Sequence, residues 1–157
     1  SSDLVLLVTK GGMTLSYNIH EISLLGKKAQ GTRGIKLKEK DELILGTHVR
    51  DEGEVVIGTK NGYFKRVIIP TLVKTNRGLI GTKITQLEIT KNNKTIEDEL
   101  LYVGVVCESY DILAFTSKKI EKINTEEIKV STRLSSGEQM VKIKVDEIIP
   151  VLTDRID

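Results

Sequence analysis

A short sequence pattern recurs three times along this chain of 157 residues. A Thr-Lys-x-Gly turn occurs at 9–12 and again at 59–62, and Thr-Ser-Lys-Lys stands at 116–119. The steps from residue 9 to 59 and from 59 to 116 are 50 and 57 residues. Apolar and polar residues alternate around the first two turns, which is typical of hairpins with one buried face. Because one small sheet cannot bury its apolar face alone, this period predicts propeller blades or a related array.

A second pattern follows each turn: a glycine-containing segment that ends in an acidic pair and the start of a strand. Its first copy is GTRGIKLKEKDEL at Gly31–Leu43. The second copy has Gly81–Ile84 ahead of Asp98–Leu100, and a degraded third copy has Gly137–Lys144 ahead of Asp146–Ile148. Since the acidic pairs recur at strand starts, we interpret them as structural turns and not as general acids or bases.

The strand pattern predicts one all-β domain over 1–157, built from about three four-stranded units in series. The units are expected at roughly 4–50, 54–107 and 110–152. An extra hairpin tip is predicted at Lys91–Asp98, which accounts for the longer second step.

Four shorter segments carry local signals. Lys83–Thr90 and Gln139–Val145 are predicted as strands, because they are rich in residues that suit a half-buried pleated surface. Pro70–Val73 is predicted as a short turn and Thr125–Ile128 as one turn of helix.

Composition limits the class of protein. Aromatic residues make up 4% and tryptophan is absent, so Ile, Leu and Val must form the core. No apolar run approaches the ~20 residues needed to span a bilayer, so no membrane partner is expected. Cys107 is the only cysteine, which excludes an intramolecular disulfide, and it is predicted to be a buried thiol in an apolar strand.

The formal net charge of +2 is unevenly distributed along the chain. Residues 4–46 hold 7 basic and 4 acidic side chains, and residues 54–87 hold 6 and 1. Residues 88–109 hold 2 basic and 5 acidic side chains. The positive charge of the first two units favours a polyanionic partner there, and a merely solvated surface is the alternative.

The candidate binding residues are cations in or next to the glycine-containing segments. Long cationic side chains reach phosphates, and glycine lets backbone N–H groups approach an anion closely. The candidates are Lys27, Lys28, Arg33 and Lys36 in the first unit, Lys65, Arg66, Lys74, Arg77 and Lys83 in the second, and Arg133 in the third. With one candidate, the third unit is expected to bind more weakly. For any single cation, a charged strand edge that prevents aggregation is the alternative.

Three segments carry a family resemblance: GKKAQGTRGIKL, KEKDEL and VVIGTKNGYFKR. In this order they resemble the C-terminal domain of bacterial type IIA topoisomerase A subunits, those of DNA gyrase and topoisomerase IV. The resemblance extends over Leu4–Val151 and is loosest in the third unit. The gyrase-type Gln-Arg-Arg-Gly-Gly-Lys-Gly loop has no good match, because Gly26–Gly31 keeps its composition but not its order. Gyrase and topoisomerase IV therefore both stay open.

The resemblance implies a β-pinwheel, a propeller-like disc whose basic outer edge bends and wraps double-stranded DNA. The domain would present duplex DNA for strand passage without cutting it. Its parent would be an ATP-dependent type II topoisomerase in the bacterial cytoplasm, associated with the nucleoid. The implied protein partners are the rest of the A subunit and the ATPase B subunit. No cofactor is expected in this chain, since ATP and Mg²⁺ would be bound by other domains or subunits.

Few residues have catalytic potential, so the chain is not expected to be an enzyme by itself. The cleaving tyrosine of the resembled family follows an arginine. The tyrosines here follow Ser16, Gly62, Leu101 and Ser109. His20 and His48 stand alone, without the spacing of metal ligands, so no metal site is predicted. A protein-interaction module without nucleic acid, using the acidic segment Glu88–Glu108, is the alternative function.

Overall fold

The computed structural model describes residues 3–18, 42–50, 52–75 and 81–151. Almost all of its regular elements are strands. In chain order these are β1 Asp3–Thr9, β2 Met13–Asn18, β3 Leu43–Arg50, β4 Glu54–Thr59, β5 Tyr63–Ile68, β6 Thr82–Lys83, β7 Glu88–Lys91, β8 Lys94–Glu97, β9 Leu100–Val106, β10 Asp111–Thr116, β11 Ile120–Asn124, β12 Glu138–Gln139 and β13 Val145–Val151. A short helix α1, Ile69–Thr75, follows β5, and a 3-10 turn, Thr125–Glu127, follows β11.

The strands form three antiparallel sheets and one separate hairpin. The first sheet has the order β3-β1-β2-β6, the second β12-β5-β4-β9 and the third β11-β10-β13. Among the strands that the structure describes, β7 and β8 pair only with each other. Each sheet is centred on the hairpin that contains the recurring turn, so the prediction of a propeller-like all-β fold is confirmed.

The outer strand of the first two sheets comes from further along the chain. β6 pairs with β2 through Met13 and Lys83, and β12 pairs with β5 through Tyr63 and Gln139. The ranges 4–50, 54–107 and 110–152 each supply three strands of one sheet, and as unit boundaries they stay a prediction. Within the described residues, the fourth strand of the first two sheets comes from the next unit, and the third sheet has three strands.

The opposite edges of the three sheets lie together. β3, β9 and β13 are the edge strands of their sheets, and β9 contacts both β3 and β13. We call these the inner strands, and we call β6 and β12, at the far edges of their sheets, the outer strands. Residues of the outer strands therefore lie at the sheet edges farthest from the region where the sheets meet.

Two apolar clusters fill the spaces next to the sheets. Val55 and Ile57 of β4 belong to the cluster shared with the first sheet, whereas Val56 belongs to the cluster shared with the third. Successive residues of a strand point to opposite faces, so β4 contributes to both clusters. Phe64 is the one aromatic side chain among the fully buried members of these clusters, and most of the rest are Ile, Leu and Val.

Several local predictions differ from the structure. The predicted strand at 83–90 is divided into β6 and β7, and the predicted strand at 139–145 is reduced to its first residue in β12 and its last in β13. The predicted turn at 70–73 is part of α1. The extra hairpin is present as β7 and β8, and the predicted helical turn at 125–128 is the 3-10 turn.

The expected third copy of the acidic pair lies three residues too late in the chain. Thr59 is paired in register with Leu100, and the corresponding residue Thr116 is paired with Val145. The positions equivalent to the Asp98-Glu99 pair are therefore 143 and 144, which hold Ile and Lys. The assignment of Asp146-Glu147 as the third copy is wrong, because the third unit has no acidic pair at the equivalent positions.

Cys107 is also placed differently from the prediction. It follows the end of β9 and is exposed, not buried within a strand. The apolar run that suggested burial ends one residue earlier, at Val106.

Candidate nucleic-acid interface

The two recurring sequence patterns contact each other in the first two units. Lys60 donates its backbone N–H to the carbonyl of Glu99 at 2.9 Å, and its Nζ lies 3.6 Å from the Glu99 carboxylate. Lys10 makes the same pair of contacts with Glu42, at 2.8 and 3.3 Å. These turn lysines are ion-paired, so they are poor candidates for a bound polyanion.

Asp98 organises the turn of the second unit. Its carboxylate accepts hydrogen bonds from the Thr59 hydroxyl at 2.5 Å, from the Asn61 backbone N–H at 2.9 Å and from the Asn61 side-chain amide at 3.0 Å. The backbone N–H of Glu99 is a fourth donor, at 2.8 Å. A nearly buried carboxylate with four donors is fully engaged in structure. This geometry supports the interpretation of the acidic pair as a structural turn.

The turn glycines anchor the segments that carry the outer strands. The carbonyl of Gly12 accepts a hydrogen bond from Ile84 at 2.8 Å, and that of Gly62 accepts from Met140 at 2.9 Å. Gly62 has a φ of +83°, and a Cβ built there would lie 1.9 Å from the carbonyl oxygen of Val141. Only glycine permits this approach, because an L side chain would meet the neighbouring backbone.

Lys65 is not on the surface, so its predicted contact with a phosphate is wrong. Its side chain is fully buried, and Nζ donates hydrogen bonds to the carbonyls of Thr132 at 2.8 Å and Ser135 at 2.6 Å. Burial lowers the pKa of Lys65 to about 8, since desolvation disfavours the charged form. The ammonium group therefore holds the segment before β12 and cannot reach an external anion.

Arg66 is also occupied by internal partners. Its Nη1 lies 2.8 Å from the Glu54 carboxylate, and its Nε donates to the carbonyl of Ile128 at 2.5 Å. Its backbone accepts a hydrogen bond from Ser131 at 2.9 Å and donates one to Lys129 at 3.0 Å. The Lys65-Arg66 pair thus fastens residues 128–135 of the third unit onto β5 of the second.

Two predicted cations remain available within the described part of the chain. The side chains of Lys83 and Arg133 have no hydrogen-bond or ion-pair partner there. Lys83 is exposed on the outer strand β6. Arg133 is half-buried and lies in the segment fastened by Lys65, at the side of a groove of about 400 Å³. Both residues can accept a phosphate without first breaking an ion pair.

The other predicted cations cannot be compared in the same way. Lys27, Lys28, Arg33, Lys36 and Arg77 lie outside the described residues. Lys74 lies on α1, and its contact with phosphate stays a prediction.

No cluster of three potential metal-ligating side chains occurs within residues 3–18, 42–50, 52–75 and 81–151. Over the same residues, no helix combines the length and the apolar character needed to cross a membrane.

Sequence reasoning missed a hydrogen-bonded pair of tyrosines beside the third sheet. The hydroxyls of Tyr102 and Tyr110 lie 2.8 Å apart. Burial raises the pKa of both phenols, so both remain protonated at neutral pH. The pair packs against the second apolar cluster and is structural.

Three sheets in series, the first two of which take their outer strand from the following unit, define a β-propeller-like repeat domain. The sequence profile of the family described as DNA gyrase C-terminal domain, beta-propeller, matches residues 3–45 and 53–88, which are 43 and 36 residues and together half of the chain. The chain belongs to this family.

Relatives of known identity agree with this assignment. The DNA gyrase A subunit of Campylobacter jejuni is 28% identical over 147 residues, which cover 92% of this chain and 16% of the relative. The DNA topoisomerase 4 A subunit of Staphylococcus epidermidis is 25% identical over 138 residues, 87% of this chain and 17% of the relative. The chain therefore spans about one-sixth of the length of these relatives.

Solved structures share the fold. The crystal structure of the C-terminal domain of DNA topoisomerase IV matches with a TM-score of 0.74 and 26% identity, over 96% of this chain and 46% of that one. The structure of a DNA gyrase A C-terminal domain matches with a TM-score of 0.70 and 21% identity, over 98% and 50%. The chain thus has the fold of these C-terminal domains and spans about half of their length.

Proposed function

We propose that this domain binds the phosphate backbone of duplex DNA along its outer strands and bends the duplex without reading its sequence. The observation that carries the proposal is the distribution of paired and unpaired cations. The turn lysines Lys10 and Lys60 are ion-paired, whereas Lys83 on β6 and Arg133 ahead of β12 have no partner among the described residues.

Unpaired cations suit a polyanion because each phosphate contact releases counterions. Contacts with the phosphate backbone carry no sequence information directly. Bending a site of about 20–30 bp costs on the order of 1–6 kcal/mol, which several phosphate contacts must offset. A short outer edge therefore predicts a modest bend by this domain alone.

The proposal extends to the parent protein. The domain would present a duplex segment to the rest of a type IIA topoisomerase A subunit, with the ATPase B subunit as a further partner. The domain itself would not cut DNA. ATP and Mg²⁺ would be bound by other domains or subunits, and the protein would act in the bacterial cytoplasm at the nucleoid.

A groove beside Arg133 favours a second candidate function, the docking of another protein. Ile68 and Val130 line this groove and are 43% and 44% exposed. Exposed aliphatic side chains next to an unpaired arginine suit an acidic and apolar peptide. DNA binding remains the stronger proposal, because Lys83 lies outside this groove. Among the described residues, Leu87 is the one large aliphatic side chain that lines the cavity beside Lys83.

Fluorescence anisotropy with a labelled duplex of about 30 bp tests the proposed DNA binding. The variant Lys83→Gln/Arg133→Gln should weaken binding and reduce the dependence of log K on log salt by about 0.9 for each lost phosphate contact. The matched control Lys10→Gln/Lys60→Gln removes the same formal charge from paired residues and should change binding much less. A wild-type domain that fails to bind duplex DNA at about 50 mM salt would contradict the proposal.

A further inference from the structure

The separate hairpin of β7 and β8 has an unusual mirrored sequence, EITK-NN-KTIE. Every cross-strand pair therefore joins identical residues, from Glu88 with Glu97 at the base to Lys91 with Lys94 at the tip. The acidic pair lies where the hairpin leaves the body of the domain, and the basic pair lies at the free end. The charge of the hairpin is separated along its length.

The turn keeps the two tip lysines side by side. Asn92 and Asn93 have φ values of 53° and 62°, the left-handed conformation that a two-residue hairpin turn requires. Lys91 and Lys94 are directly opposite each other, so their side chains leave the same face of the hairpin. Like charges in this arrangement are destabilising, which makes the pair a poor choice for stability alone.

Lys91 lies at the outer strand of the second sheet. Its Nζ donates a hydrogen bond to Oε1 of Gln139 at 3.4 Å. Gln139 is opposite Tyr63, the first residue of β5, just as Lys83 is opposite Met13, the first residue of β2. Gln139 therefore occupies in the second sheet the register position that Lys83 occupies in the first.

The hairpin thus brings a cation to a position where the strand itself has a neutral amide. Lys91 contacts only the neutral Gln139, and Lys94 has no side-chain partner among the described residues. Both tip lysines are exposed. Neither ammonium has to leave a carboxylate before it contacts an anion.

We propose that the tip of the β7–β8 hairpin, Lys91 and Lys94, is a further binding site for the phosphate backbone of duplex DNA. It supplies the cation that β12 lacks and continues the line of contacts from Lys83 to the second sheet. This inference rests on the proposed function. It adds a site that the net charge of segment 88–109 does not indicate, because that segment is acidic overall.

The test compares the variant Lys91→Gln/Lys94→Gln with the wild-type chain by anisotropy with the same labelled duplex. Loss of two phosphate contacts should weaken binding on the order of tenfold at low salt and reduce the salt slope by about 1.8. The control Lys10→Gln/Lys60→Gln has the same formal charge and should retain nearly all of the affinity. Lys91→Arg/Lys94→Arg keeps the charge and should bind as the wild type does.

A rescue variant separates the charge from the hairpin itself. Gln139→Lys, added to Lys91→Gln/Lys94→Gln, returns an ammonium to β12 at the register position of Lys83 and should recover most of the lost affinity. Unaltered affinity and salt slope in Lys91→Gln/Lys94→Gln would overturn the inference, while weaker binding by Lys83→Gln/Arg133→Gln would leave the proposed function standing. Absence of any wild-type binding at low salt would overturn both.

Discussion

The ammonium group of Lys65 donates a 2.6 Å hydrogen bond to the carbonyl of Ser135, 70 residues further along the chain. This bond joins the second sheet to the segment that leads into its own borrowed strand β12. Ser135 also accepts hydrogen bonds from the Thr85 hydroxyl at 3.2 Å and the Gln86 backbone N–H at 3.1 Å. The Ser135 carbonyl therefore links the third unit to the second through these three hydrogen bonds.

Stability of the domain should increase with pH in the alkaline range because of Lys65. Burial lowers its pKa from 10.5 to about 8, so between these values the unfolded state binds more protons than the folded state. The free energy of unfolding then rises with pH across this window, by at most about 1.4 kcal/mol per pH unit. Urea unfolding at several pH values measures the rise.

The variant Lys65→Met isolates this contribution. It removes the titrating group and should abolish most of the increase between pH 8 and 10.5. Lys60→Met is the control, because it removes a lysine whose side chain is 38% exposed and ion-paired with Glu99. The same rise in Lys65→Met as in the wild type would show that another group is responsible.

Asp98→Asn should destabilise the domain by about 2 kcal/mol, because hydrogen bonds to a charged acceptor contribute roughly 1.5–3 kcal/mol each and the amide can replace only some of them. Thr59 and Asn61 would each lose a charged partner. Chemical unfolding of the variant measures the loss.

Asp146→Asn is the matched control for this change. Asp146 is exposed and has no hydrogen-bond or ion-pair partner among the described residues. Its replacement should change the free energy of unfolding by less than about 0.5 kcal/mol. Equal losses in the two variants would indicate that Asp146 is the structural equivalent of Asp98, which would contradict the observed register.

Comparison of the units explains what the sequence could and could not reveal about Lys65. The repeating turns and alternating strands predicted the hairpins β1–β2 and β4–β5, because local periodicity determines them. Lys65 is opposite Ile57, and the equivalent residue opposite Leu7 is Leu15, which is 1% exposed. Alignment of the first two units thus indicates that the side chain at position 65 points into the core. The charge of Lys65 suggested an exposed side chain instead.

The borrowed outer strands had no such signal. β6 and β12 are two residues long, which is too short for an alternating pattern. Their pairing depends on Gly12 and Gly62 of an earlier unit, so no local property of the strands themselves specifies it. Lys83 was predicted as a candidate, but its position on an outer strand was not, because the sequence pattern merges it with its neighbours into one long strand.

Gly62→Ala should destabilise the domain by about 2 kcal/mol or more, since a left-handed conformation costs an L residue roughly 1–2 kcal/mol before any clash. The added Cβ would also meet the carbonyl oxygen of Val141 and push β12 away from β5. Gly46→Ala is a suitable control, because its nearest contact would be a movable Leu7 side-chain atom at 3.3 Å. Thermal unfolding measures the loss of stability in both variants. Similar losses would argue against a special role for Gly62.

Removing the acidic pair at the hairpin base should strengthen DNA binding. Glu88 and Glu97 line, with Lys83, a cavity of about 320 Å³, and they are close enough to weaken the attraction of Lys83 for a phosphate. Glu88→Gln/Glu97→Gln should bind duplex DNA several-fold more tightly at low salt. It should also be more stable by about 0.2–1 kcal/mol, because like charges directly opposite each other are destabilising. Asp146→Asn/Glu147→Gln changes the formal charge equally on the inner strand β13, and an equal gain in affinity there would indicate an effect of net charge and not of position.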